Sequence, residues 1–144
     1  MKDRPQRTQQ LQKGRRQKTI MPPDGDPVWA AVRRQWAQRA AAKKRAEEER
    51  RALALQKAKA VASHLKIHYG AGQVYLYGSL VWGRHFTAQS DIDLLVEGFP
   101  KGSNFWRALV EAEELAAPFA VSLVPAEDAS PSLLARATRE GVRL

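Results

Sequence analysis

Apolar and polar positions follow two different periods along this chain, one in each half. From Val28 to about His68 no Gly or Pro interrupts a stretch dominated by Ala, Arg, Lys, Glu and Gln, all good helix formers. Asp26 stands where an N-cap belongs, with Pro27 at the first helical position. The pattern predicts one long helix over 26–69, or two with a subtle break. At about 1.5 Å per residue such a helix would span roughly 60 Å. Val28, Val32 and Trp36 mark an apolar stripe near its start, and Ala54, Ala58, Val61, Ala62 and Leu65 mark another near its end. Between them "AAAKKRAEEERRA" is charged all round, with Lys43/Glu47, Lys44/Glu48 and Glu47/Arg51 spaced to pair at i,i+4.

After "YGAGQ", where Gly70 or Gly72 stops the helix, the period shortens. "VYLYG" (74–78) reads as a strand, "SLVWGRHF" opens with a short helical turn, and "TAQS" is a loop. "DIDLLVEG" (91–98) is a second strand, with Asp91, Asp93 and Leu95 on one face. "GSNFWRALVEAEELA" (102–116) is an amphipathic helix carrying Phe105, Trp106, Leu109, Val110 and Leu115. "PFAVSLVP" (118–125) is a third strand. Ser130, Pro131 and Gly141 frame a last helix as cap, first residue and stop, and "VRL" closes as a short strand. Strands alternating with helices predict an α/β or α+β fold. It has a small mixed sheet flanked by helices and a long helix in front. The regions are a basic tail over 1–25, the long helix over 26–69, and a compact domain over 70–144.

Charge sharpens this division. Residues 1–60 hold 17 Lys/Arg against 6 Asp/Glu, whereas residues 61–144 hold 7 against 9. The basic character therefore belongs to the tail and the long helix. The first 25 residues have too few apolar groups to offset ordering entropy, so they read as disordered. They offer charge to RNA or an acidic partner but interleave no stacking aromatics. The Trp29/Trp36 stripe would stay exposed unless it docks on a partner chain, a second copy included, or folds back. There is no cysteine, which excludes disulfides and thiolate metal sites and fits a cytoplasmic location. No apolar run is long enough for a transmembrane helix, and the basic N-terminus lacks the apolar core of a secretory signal.

The chemistry concentrates in "YGSLVWGRHFTAQSDIDLLVE", residues 77–97. Asp91 and Asp93, two apart on a strand, point the same way at about 6–7 Å separation. Two like-directed carboxylates make poor core but a good seat for a hard divalent cation such as Mg²⁺ or Mn²⁺. Gly78-Ser79 follows a strand and opens a helical turn, where free N–H groups and a glycine allow close approach of an anion. A metal seat beside a phosphate cradle is the equipment of phosphoryl or nucleotidyl transfer. His64 and His68 also stand at i,i+4, but without a third ligand they read as ordinary helix-surface residues. Arg84 and His85 lie between the two halves of the pattern, Tyr75 and Tyr77 flank the cradle, and the four tryptophans read as core or interface.

This pattern resembles the minimal nucleotidyltransferases of the DNA polymerase β-like superfamily. The motif is Gly-Ser, a spacer, then Asp-x-Asp within Ser-Asp-Ile-Asp-Leu. Here "GS" is followed by Leu80 to Ser90 and then "DID", a spacer one residue longer than the family's. The resemblance covers residues 60–144. It implies that Gly78, Ser79 and Ser90 bind the nucleotide and that Asp91 and Asp93 are catalytic and hold Mg²⁺. The reaction implied is transfer of a nucleotidyl group, AMP from ATP, to a hydroxyl. It also implies antitoxin-like pairing with a HEPN-type toxin whose tyrosine is the acceptor. The family's third carboxylate falls on the next strand in a "VDLV"-like stretch. Here that stretch is "VSLV", which puts Ser122 there. The resemblance thus leaves room for a weakened relative that binds nucleotide or a partner without turnover. Glu127 and Asp128 in the following loop read as solvated.

Overall fold

The computed structural model describes residues 25–144. The tail expected over 1–25 therefore lies, up to residue 24, outside the described residues. Residues 38–144 form one compact unit, and the described residues 25–37 belong to a separate one. Helix α1 (Pro27–Tyr69) is a single helix. Asp26 caps it, its carboxylate accepting from the N–H of Val28 at 2.9 Å. Gly70, with φ 71°, ends it.

Within the compact unit the order is β1 (Gln73–Tyr77), α2 (Ser79–Trp82), β2 (Ile92–Glu97), α3 (Phe105–Ala116), β3 (Val121–Pro125), α4 (Pro131–Glu140) and β4 (Val142–Arg143). A 3₁₀ turn at Ala126–Asp128 precedes α4. The sheet runs β3-β2-β1-β4. β1 is antiparallel to β2 and β4, while β2 and β3 are parallel. A parallel pair needs a crossover, and α3 supplies it. The mixed α/β architecture is the one the sequence predicts. β2 starts one residue later than the alternation suggests, so Asp91 stands just ahead of the strand.

One sheet face carries the main core. Val74, Leu76, Ile92, Leu94 and Val96 are fully buried there, or nearly so, with Ala54, Ala58, Val61, Ala62 and Leu65 of α1. The same cluster includes Ala108, Ala112 and Ala116 of α3. The α1 stripe is as expected; that of α3 is not. Its buried line is three alanines at i, i+4, i+8, while Trp106 is 74% exposed and Val110 54%. Alanines let the helix lie close against the sheet, and the large residues are displaced to its flanks. The other sheet face holds a second cluster, Tyr77, Leu95 and Ala137, with Tyr75, Trp82, Val124, Leu133 and Leu134 packed against it. Helix α4 covers part of that face through Ala137.

The expected i,i+4 pairs along the middle of α1 do not form among the described residues. Glu47 and Arg51 reach instead to α2 and the segment after it.

Candidate active site

Directly opposed residues on neighbouring strands share a face, and the register sets Tyr77, Asp93 and Ser122 in one row across β1, β2 and β3. This row lies on the α4 side of the sheet, at the end of β1 where the chain turns into α2. Gly78 makes that turn with φ 76° and ψ −152°. A Cβ at residue 78 would overlap the Asp93 carboxylate, Oδ2 first. A glycine is needed for two reasons: the backbone conformation, and the carboxylate against it. The longer spacer therefore leaves the Gly78 turn and Asp93 in contact.

Gly78 also holds the cap position of α2, its carbonyl accepting from Val81 and Trp82 N–H at 3.1 and 2.8 Å. Ser79 is the first helical residue. Its N–H and that of Leu80 belong to the donors at a helix start that no intrahelical carbonyl can satisfy. Gly83 closes the turn, its N–H donating to Ser79 O at 3.0 Å.

Asp93 is half-buried and Asp91 exposed. Burial, and secondarily the charge of Asp91, raises the Asp93 carboxyl above the ordinary carboxylate value. Neither aspartate forms an ion pair among the described residues. Two carboxylates close enough to repel, one partly desolvated, suit a divalent cation that neutralises both. Among the described residues no group of three or more His, Cys, Asp or Glu gathers around a metal position. The donor set thus fits an ion that takes its other ligands from phosphate and water. Ser122 is paired with Asp93 across the parallel strands, at the position where the family resemblance leads one to expect a third carboxylate. Burial, then the Asp93 charge, raises the Tyr77 phenol, and the neighbouring Ser122 acts the other way.

Ser90 is placed differently from Gly78 and Ser79. Its hydroxyl accepts from Thr87 N–H at 3.0 Å and lies 3.3 Å from the Thr87 hydroxyl, closing the turn before Asp91. Arg84 is exposed. His85 Nδ1 is 3.1 Å from Glu47 Oε1. Trp82 packs on Tyr77, ring centroids 6.0 Å apart, and takes the Arg136 guanidinium over its ring at 3.9 Å. Its indole N–H donates to Glu140 O at 3.3 Å, which ties α2 to α4.

Sequence reasoning missed the ties from α1. Arg51 donates to Leu80 O at 2.8 Å and Gly83 O at 3.2 Å. Glu47 accepts from Phe86 N–H at 3.0 Å, and that bond is the first cause lowering its pKa. Arg50 donates to Phe86 O at 3.4 Å. Residues 47, 50 and 51 share one helix face, a spacing that was visible, but their partners lie 29 to 39 positions away. His64 and His68 line a polar concavity of about 510 Å³ with Tyr69, Arg107 and Glu111. His64 is engaged with Glu111 at 2.7 Å, and this concavity contains neither aspartate.

No family model matches the chain. No curated protein matches it either. Among solved structures, one provisionally named a minimal nucleotidyltransferase is 30% identical, with a TM-score of 0.51. The match covers 62% of this chain and 90% of that one. The chain belongs to the minimal nucleotidyltransferase family. Its Gly-Ser turn and Asp-Ile-Asp segment are thus set in a minimal nucleotidyltransferase fold. Among the described residues, no helix is long and apolar enough to cross a membrane.

Proposed function

We propose that this minimal nucleotidyltransferase binds a nucleoside triphosphate with Mg²⁺ and transfers its nucleotidyl group, AMP from ATP, to a hydroxyl. The observation that carries the reading is the contact between Gly78 and the Asp93 carboxylate, which sets the Gly-Ser turn against one of the two aspartates. Asp91 and Asp93 would hold the cation, and Gly78 and Ser79 would receive the outer phosphates through backbone N–H groups. Bound there, the cation would supply charge neutralisation at the reacting phosphates. The acceptor oxygen bonds to the α-phosphorus, the bond to the bridging oxygen breaks, and pyrophosphate leaves. Ser122 is not ionised at neutral pH and takes no proton, so the acceptor proton passes to solvent. The family resemblance supports a tyrosine of a HEPN-type partner as acceptor.

The test is intact-protein mass spectrometry after incubation with ATP and Mg²⁺, with this chain alone and with any protein that co-purifies with it. An adduct of AMP mass, absent with Asp93→Asn, is the expected result. No adduct on either protein would contradict transfer. Ser122, in register with Asp93, favours a second reading: a site that keeps nucleotide binding but has lost turnover. Under it, wild type gives no adduct but is stabilised by ATP and Mg²⁺, and Ser122→Asp restores transfer. A Ser122→Asp variant as inert as wild type would count against it.

A further inference from the structure

We infer that Glu47 and Arg51 of α1 are positioning residues for nucleotide binding, holding the turn that presents the phosphate cradle. The inference rests on the reading of Gly78-Ser79 as that cradle. Helix α2 has four residues, a single turn that does not sustain itself, because nucleating a helix is unfavourable. Its carbonyls at the C-terminal end have no following turn to bond to. Arg51 takes that place, its two guanidinium nitrogens donating to Leu80 O and Gly83 O. A guanidinium is suited to this, since it is planar, always charged and able to donate in two directions.

Glu47, one turn earlier, accepts from the Phe86 N–H and from His85. Phe86 itself is fully buried and rests on Phe119, ring centroids 5.7 Å apart. Two charges that could have neutralised each other on the helix surface are therefore both spent on the backbone between the cradle and the aspartates. Arg51 fixes the far end of α2, whose near end is Ser79. Glu47 fixes the path that returns to Asp91. How the N–H groups at the start of α2 are held thus depends on α1, while strand register alone sets Gly78 against Asp93.

The experiment compares wild type, Arg51→Ala, Arg51→Lys, Glu47→Gln and, as a control on the same helix, Arg45→Ala. Three quantities are read on the full chain: amide hydrogen exchange over residues 81–86, affinity for ATP with Mg²⁺, and affinity for Mn²⁺ alone. In Arg51→Ala the amides of Val81, Trp82 and Gly83 should exchange faster, and ATP should bind about tenfold more weakly, the scale of one charge-assisted hydrogen bond. Binding of Mn²⁺ alone should be unchanged. Arg51→Lys, which keeps charge but not the fork, should fall between the two, and Arg45→Ala should match wild type. Faster exchange with ATP affinity unchanged would make the contacts structural only and overturn the positioning role. If Arg51→Ala does not fold, the Lys and Gln variants decide: wild-type ATP affinity in both overturns it. A wild type that binds no ATP refutes the cradle reading and the positioning role with it. The exchange data would then still tell whether α1 holds the turn.

Discussion

Asp93 shows how a side chain's place in a motif is legible in the sequence while its surroundings are not. The sequence pattern marks it as half of a carboxylate pair. Its contact with Gly78 and its alignment with Tyr77 and Ser122 follow from strand register, which no local pattern reveals. Glu111 shows the converse, a carboxylate with no motif around it. It accepts from His64 Nε2 and the Tyr69 hydroxyl, both at 2.7 Å, and from Arg107 Nε at 3.0 Å. These bonds, the His64 one first, lower its pKa from the ordinary 4.5 to about 2. A depressed carboxylate stabilises the fold above the unfolded value, and that stability is lost as pH falls through the folded one. Glu111→Gln should therefore lower the thermal midpoint at neutral pH and flatten its decline between about 4.5 and about 2. Parallel pH–melting profiles for the two proteins would show that the network contributes nothing.

At the scale of elements, the order strand, Gly-Ser turn, strand, helix, strand was readable because turn chemistry and caps are local. Ser130 caps α4 as expected, accepting from Leu133 N–H at 3.2 Å. The phase of α3 was not readable. Large apolar residues weigh most in any sequence pattern, yet the sheet selects Ala108, Ala112 and Ala116 for their small size. Nor were the ties from Glu47 and Arg51 readable, since an i,i+4 pair of opposite charge suggests its own internal bridge. The turn at Gly78 is the most exacting element. Gly78→Ala would force a side chain into a positive-φ conformation and against Asp93, a strain of about 1–3 kcal/mol. The denaturant midpoint should drop accordingly and stabilisation by ATP with Mg²⁺ should vanish. A variant that keeps both would show that nothing needs to approach residue 78 closely.

For the whole molecule, charge and structure divide at different places: the basic excess runs on to residue 60, while the compact unit begins at residue 38. The family match spans 62% of the chain, and every residue placed in or around the site lies between Glu47 and Glu140. Removing residues 1–37 should therefore leave the melting of the compact unit and its response to ATP with Mg²⁺ unchanged. A lost response would implicate the basic portion in nucleotide binding. The central claim is that a turn and two carboxylates form one metal–nucleotide site, and calorimetric titration of ATP in the presence of Mg²⁺ tests it most directly. Wild type should bind with a stoichiometry near one, binding should require the metal, and Asp93→Asn should abolish it. Equal binding by Asp93→Asn, or ATP binding that ignores Mg²⁺, would contradict the account.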